Sequence, residues 1–186
     1  MGKPWILSGV VALLVATTVE ARAQGLAVSA DVFGSAGLQR LWDDESSLGV
    51  GLVAGGGLSV TLSERLILRG RVVRTTNERD FGNGVVFDAT TTRVTADGLW
   101  RLSSSAHAVY VGAGAGSLSF TRRSEFPSPS STTFSRSDTD FVFGGIGGFT
   151  AFQRGRFSMR PEGSFWWSQP NNFLGIEFSV LAAVRF

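Results

Sequence analysis

The chain has no cysteine, a single lysine (Lys3) and a single histidine (His107). A disulfide framework, a lipidated N-terminal cysteine and a thiolate metal site are therefore all excluded. Proline is scarce before Pro127, and no amphipathic helical period lasts more than a turn or two after the first two dozen residues. Only one long apolar run is present, Trp5 to Val19. At about 1.5 Å per residue it covers about 22 Å of a hydrocarbon core about 30 Å thick, too little for a spanning helix. Lys3 before it and Ala21-Arg22-Ala23 after it complete the pattern of a cleavable signal peptide. Residues 1–23 are thus expected to be removed between Ala23 and Gln24, leaving 24–186 as one domain.

Without Lys3, Arg22 and Glu20 the chain keeps fifteen basic residues, all arginine, against fourteen acidic ones. So slight an excess gives no reason to expect a nucleic-acid partner. Arginine used alone suits bidentate pairing with carboxylates. Glycine, at 24 residues, is abundant, and the class this composition predicts is all-β.

What is present is alternation. In residues 173–186 (FLGIEFSVLAAVRF), Leu174, Ile176, Phe178, Val180, Ala182, Val184 and Phe186 share one parity, whereas Gly175, Glu177, Ser179 and Arg185 lie on the other. Strand side chains alternate sides, so this segment has one oily face and one face carrying a carboxylate and a guanidinium. It exceeds the nine to eleven tilted residues, roughly, that span a bilayer. Upstream, Leu48, Val50, Leu52 and Ala54 oppose Gly51, Val53, Gly55, Gly57 and Ser59, and a glycine-rich face suits the inside of a narrow barrel. Leu66, Leu68, Gly70 and Val72 oppose Ile67, Arg69, Arg71 and Val73. Arginine facing lipid costs about 2–4 kcal/mol at the bilayer midplane, which assigns Arg69 and Arg71 to the lumen. Residues 107–120 alternate glycine with alanine, which leaves their facing open.

About eight strands result, with connections alternating long and short: 37–47, 74–88, 121–139 and 168–172 are expected as external loops. Trp42, Trp100, Tyr110, Phe120, Phe141, Trp166, Trp167 and Phe186 are expected as interfacial girdle residues. The predicted fold is an eight-stranded antiparallel up-and-down transmembrane β-barrel. The signal peptide, the alternation, the loop asymmetry, the Tyr110-Val-Gly-Ala-Gly-Ala-Gly strand and the terminal Phe186 together resemble the small outer-membrane β-barrel family that includes the outer-membrane protein A transmembrane domain and the adhesin-like barrels. The resemblance implies a monomer in a Gram-negative-type outer membrane, surrounded by lipid and lipopolysaccharide. It also implies that the barrel-assembly machinery reads Phe186 during biogenesis. Family members anchor the envelope, adhere to surfaces, resist host defence or admit small hydrophobic molecules.

The inward parities collect Arg69, Arg71, Arg93, Arg101, Arg160 and Arg185 against Asp31, Asp97, Asp140, Glu162 and Glu177. Eight strands leave a lumen only wide enough for side chains, so these charges are read as an internal network that plugs the barrel. The expected role is structural or surface-interacting, with an extracellular ligand reached through the loops. A narrow porin-like channel for small hydrophobic solutes is the alternative, and a lipid A-modifying enzyme a more distant one. Against catalysis stands His107, placed at the periplasmic end with no second histidine to serve as base. The strings 112–116 and 144–148 lack the following helix and lysine of a phosphate-binding loop, and Asp43-Asp44-Glu45 reads as a solvated charge run. Neither cofactor nor metal is expected.

Intact-mass measurement of protein purified from bacterial outer membranes should give a mature N-terminus at Gln24; retention of residues 1–23 would contradict the signal-peptide reading.

Overall fold

The computed structural model describes residues 29–42, 47–80, 86–103, 107–126 and 132–186. The predicted cleavage between Ala23 and Gln24 and the Asp43-Asp44-Glu45 run lie outside the described residues. Eight long strands form the wall: β1 (Ser29–Trp42), β2 (Ser47–Thr61), β3 (Leu66–Asp80), β4 (Val86–Arg101), β5 (Val109–Phe126), β6 (Thr132–Phe149), then, after the three-residue β7 (Phe152–Arg154), β8 (Phe157–Gln169) and β9 (Leu174–Arg185). Every pairing is antiparallel. Sequential neighbours pair from β1 to β6, β6 pairs β8, and β9 returns to β1 from Asp31↔Arg185 to Trp42↔Leu174. That last ladder closes the sheet into a barrel, and among the described residues no helix occurs.

Closure turns the alternation into two surfaces. Leu52, Phe165 and Phe178 are 74%, 61% and 68% exposed, and Leu38, Leu68, Val94, Val111, Ile176 and Val184 also face outward. Arg69, Arg71, Arg93, Asp97, Glu162 and Glu177 are buried inside. A barrel that is apolar outside and charged inside is the inverse of a water-soluble protein, and lipid is the solvent that suits it. Pairing right round the wall also leaves no edge unbonded where water is absent.

Two groups of outward aromatics lie near the two ends, with Phe178 on the wall between them. Phe141, Phe143 and Trp167 form one group, with Phe143 and Trp167 edge to face at 5.4 Å between centroids. Trp100, Phe149, Phe152, Phe157 and Phe186 lie toward the other end, where β1 begins and β9 finishes, here called the base. Phe141 and Phe149 are separated along β6 by roughly 20 Å of barrel axis, close to the height of an outer-membrane apolar band. Three of the expected girdle residues do not belong to it: Tyr110, Phe120 and Trp166 are buried in the lumen. Tyr110 and Phe120 share the β5 parity of Gly112, Gly114 and Gly116, which also face inward, and this settles the facing of β5.

The strands run further than their alternation indicates. β1 continues through 37–42, β3 and β4 pair as far as Asp80↔Val86, and β5 and β6 pair as far as Phe126↔Thr132, so most of three expected loops is strand. Once a strand leaves lipid its outer face no longer has to be apolar, and the backbone ladder goes on with β-branched and polar pairs such as Thr76↔Thr90 and Thr121↔Ser137. Leu48 is a second departure: expected on the outward parity of Val50, it is buried inside. Gly49 between them has φ of 90°, and the β1–β2 register slips between Arg40 and Trp42. This bulge turns Leu48 inward.

A small barrel requires tightly coiled strands, and glycine permits the approach. A Cβ on Gly116 would fall on the Val94 carbonyl oxygen and 2.8 Å from Thr95 Cα, whereas one on Gly147 would meet nothing within 4 Å. Gly116→Val is therefore expected to abolish the fast-migrating folded band on unheated gels. Gly147→Ala should keep it, and equal folding of both would refute the close-approach argument.

Candidate functional site: the lumen and the upper rim

The lumen is layered. Nearest the base, the Asp31 carboxylate accepts from Arg160 Nη2 at 2.7 Å and from Arg185 Nε at 3.2 Å. The second contact follows from the closing ladder, which sets Asp31 opposite Arg185. Arg101, half-buried and paired in register with Tyr110, forms no ion pair among the described residues.

In the middle, a chain of alternating charge crosses the barrel. Asp97 Oδ2 accepts from Arg69 Nε at 2.9 Å, and Arg69 Nη1 reaches Glu162 Oε1 at 2.5 Å. Glu162 Oε2 lies 3.8 Å from Arg71 Nη1, which donates to Glu177 Oε1 at 3.2 Å, and Glu177 Oε2 accepts from Arg93 Nη2. These six side chains come from β3, β4, β8 and β9, and each is buried with side-chain exposure of 3% or less. Three cations and three anions cancel, so burial is offset by pairing rather than by water. The Tyr110 hydroxyl donates to Glu162 Oε1 at 2.6 Å. Arg93 also lies over the Trp166 ring at 4.9 Å, and Arg69 over Phe33 at 5.7 Å.

Toward the opposite end, the top, Leu41, Leu48, Leu118, Phe120, Val142, Trp166 and Phe173 form an apolar layer across the lumen. Asp140 lies there, apart from the arginines. Its carboxylate accepts from Ser168 Oγ at 2.8 Å, from Asn171 Nδ2 at 2.6 Å and from the Asn171 backbone at 3.2 Å, tying down the β8–β9 turn. Tyr110 and Trp166 are the partners that sequence reasoning missed as lumen residues, whereas Phe33 shares the inward parity of Asp31. The inward reading of the glycine face of β2, extended to the glycines of β5, would have found Tyr110. At the base, exposed His107 places Nδ1 3.1 Å from the Thr150 carbonyl oxygen.

Two features shape the outside. A concavity of about 740 Å³ lies on the lipid-facing wall over β1, β5, β6, β8 and β9, between Leu38, Val109, Phe149 and Phe178, with Gly147 and Gly163 in its floor. The floor is closed by the pairs Gly147↔Gly163 and Gly148↔Glu162. At the top, β6 pairs with β5 from Thr132 onward, yet β8 joins it only at Phe141. Among the described residues β5 and β6 thus run on past the last β6–β8 pair, and a four-stranded sheet, β3 to β6, rises above the rest of the wall. Just below its tip the outer face carries Ser119, Thr121, Ser137 and Thr139, with Ser119 and Thr139 hydroxyls 3.2 Å apart.

No protein-family profile and no curated sequence matches the chain. Solved structures do. Neisserial surface protein A aligns with a TM-score of 0.66 at 14% identity, over 84% of this chain and 97% of that one. Ail, the attachment invasion locus protein of Yersinia pestis, solved in complex with the heparin analogue sucrose octasulfate, aligns with 0.60 at 17% identity, over 86% and 98%. A major outer membrane protein from Thermus thermophilus aligns with 0.60 at 13% identity, over 86% and 100%. The fold is that of the small eight-stranded outer-membrane β-barrels. At these identities the likeness is one of fold, and the barrel's charge chain has to be understood from its own side chains.

Glu177 is shared by Arg71 and Arg93 and is fully buried. Glu177→Ala leaves two buried guanidiniums short of a partner and is expected to lower unfolding stability in urea by about 3–5 kcal/mol. Glu64→Ala, in the exposed β2–β3 turn, should stay within about 0.5 kcal/mol of the parent. Equal effects would show that the charge chain contributes nothing to stability.

Proposed function

We propose that this chain is an integral outer-membrane protein, exported by the signal peptide in residues 1–23, that works at the cell surface through the raised β3–β6 sheet while its lumen is plugged. The base, where β1 begins and β9 ends, faces the periplasm in this reading, and the long hairpins face outward. The observation that carries it is the raised sheet itself: the β5–β6 ladder runs on to Phe126↔Thr132, well past the last β6–β8 pair at Phe141↔Gln169. The Ser/Thr face below its tip supplies hydroxyls for a polar extracellular ligand. Ail's complex with a heparin analogue supports the idea that a barrel of this fold carries an extracellular ligand site. The alternating charge chain and the apolar layer above it support a plugged lumen.

The wall concavity supports one further reading, a narrow passage for small hydrophobic solutes entering beside β6 and β8. Its paired floor favours the plugged state.

Bacteria displaying the protein should bind immobilised extracellular-matrix protein, and replacing residues 121–137 with a tight turn should remove that binding while leaving a heat-modifiable folded barrel. Unchanged binding after the replacement would refute the surface role of the raised sheet. In planar bilayers the parent protein should pass no large steady current; large open-state currents would favour the channel.

A further inference from the structure

The charge chain begins on Asp97 and ends on Arg93, two positions of the same inward face of β4 with Thr95 between them. A cavity of about 20 Å³ lies at this junction, lined by Arg71, Arg93, Thr95, Asp97, Ser164 and Trp166 among its polar and aromatic members. One water needs about 10–15 Å³, so the space holds a single small species. Five buried atoms of this lining have no hydrogen-bond partner among the described residues: Arg71 Nε, Arg93 Nη1, Trp166 Nε1, Thr95 Oγ1 and Ser164 Oγ. Three of them are nitrogens that only donate, the other two are hydroxyls that donate as readily as they accept, and none is a carboxylate oxygen. Asp97, the only carboxylate in the lining, has its Oδ2 held by Arg69 at 2.9 Å. Arg93 is paired with one carboxylate only, Glu177, which it shares with Arg71.

We propose that this cavity binds one monatomic anion of the chloride class, held by the Arg71 and Arg93 guanidiniums, the Trp166 indole N–H and the Thr95 and Ser164 hydroxyls. A water oxygen accepts two hydrogen bonds and would leave a donor-only nitrogen unsatisfied in a dry interior, where such a group is costly. A halide accepts from all five. Its charge lies against the Arg71 and Arg93 guanidiniums, which share the Glu177 carboxylate. The site is independent of any surface role, since it rests on the lumen side chains alone.

Bromide serves as the probe. Crystals of the mature barrel grown in sodium bromide and measured at the bromine edge should show an anomalous peak within hydrogen-bonding distance of Arg71 Nε and Arg93 Nη1. In detergent, replacing acetate by bromide should raise the unfolding midpoint by about 2–4 °C in a saturable way. The Thr95→Val, Ser164→Ala double variant, which leaves every ion pair in place, should lose most of that rise. Should it fail to fold, Ser164→Ala alone takes its place, since it removes one hydroxyl and adds no bulk. A water at the position with no anomalous signal overturns the proposal, and so does a bromide effect of equal size in parent and variant.

Discussion

The requirement that every main-chain polar group be bonded where water is absent governs this molecule. The ladder from Asp31↔Arg185 to Trp42↔Leu174 satisfies it by joining the last strand to the first. An open sheet of the same strands would leave two rows of N–H and C=O groups facing hydrocarbon, each costing several kcal/mol. Side-chain placement follows from closure. Once the sheet is a cylinder, one parity must face lipid and the other a space too narrow for bulk water.

That narrow space explains the arginines. Six ionised side chains in the middle of the lumen survive burial because each touches a neighbour of opposite sign, and the order Asp97, Arg69, Glu162, Arg71, Glu177, Arg93 alternates in sign from end to end. Rings complete what ions leave open: Trp166 lies under Arg93 and Phe33 under Arg69. Above them the layer from Leu41 to Phe173 separates the charges from the top. At the rim β6 outruns β8.

The departures from sequence expectation share a cause. Alternation marks a strand only while its two faces see different solvents. Where β3 to β6 pass into water the pattern fades although the ladder continues, and residues such as Thr75 and Thr76 read as loop. Gly49 hides its bulge because glycine is common in every strand here, so the inward turn of Leu48 left no local trace. Tyr110, Phe120 and Trp166 resemble girdle aromatics in composition, and only their parity relative to neighbouring glycines separates them from Trp100 and Trp167.

Residue order alone determined the class of fold, the number of long strands and which face of β3, β4 and β9 carries charge, because a side-chain period of two and the cost of an ion in lipid are local properties. The tertiary structure decided which carboxylate meets which guanidinium, how far each strand extends and by how much β6 outruns β8. Those depend on register and barrel closure, which bring residues as distant as Asp31 and Arg185 within 3.2 Å, and no stretch of sequence read by itself contains that distance.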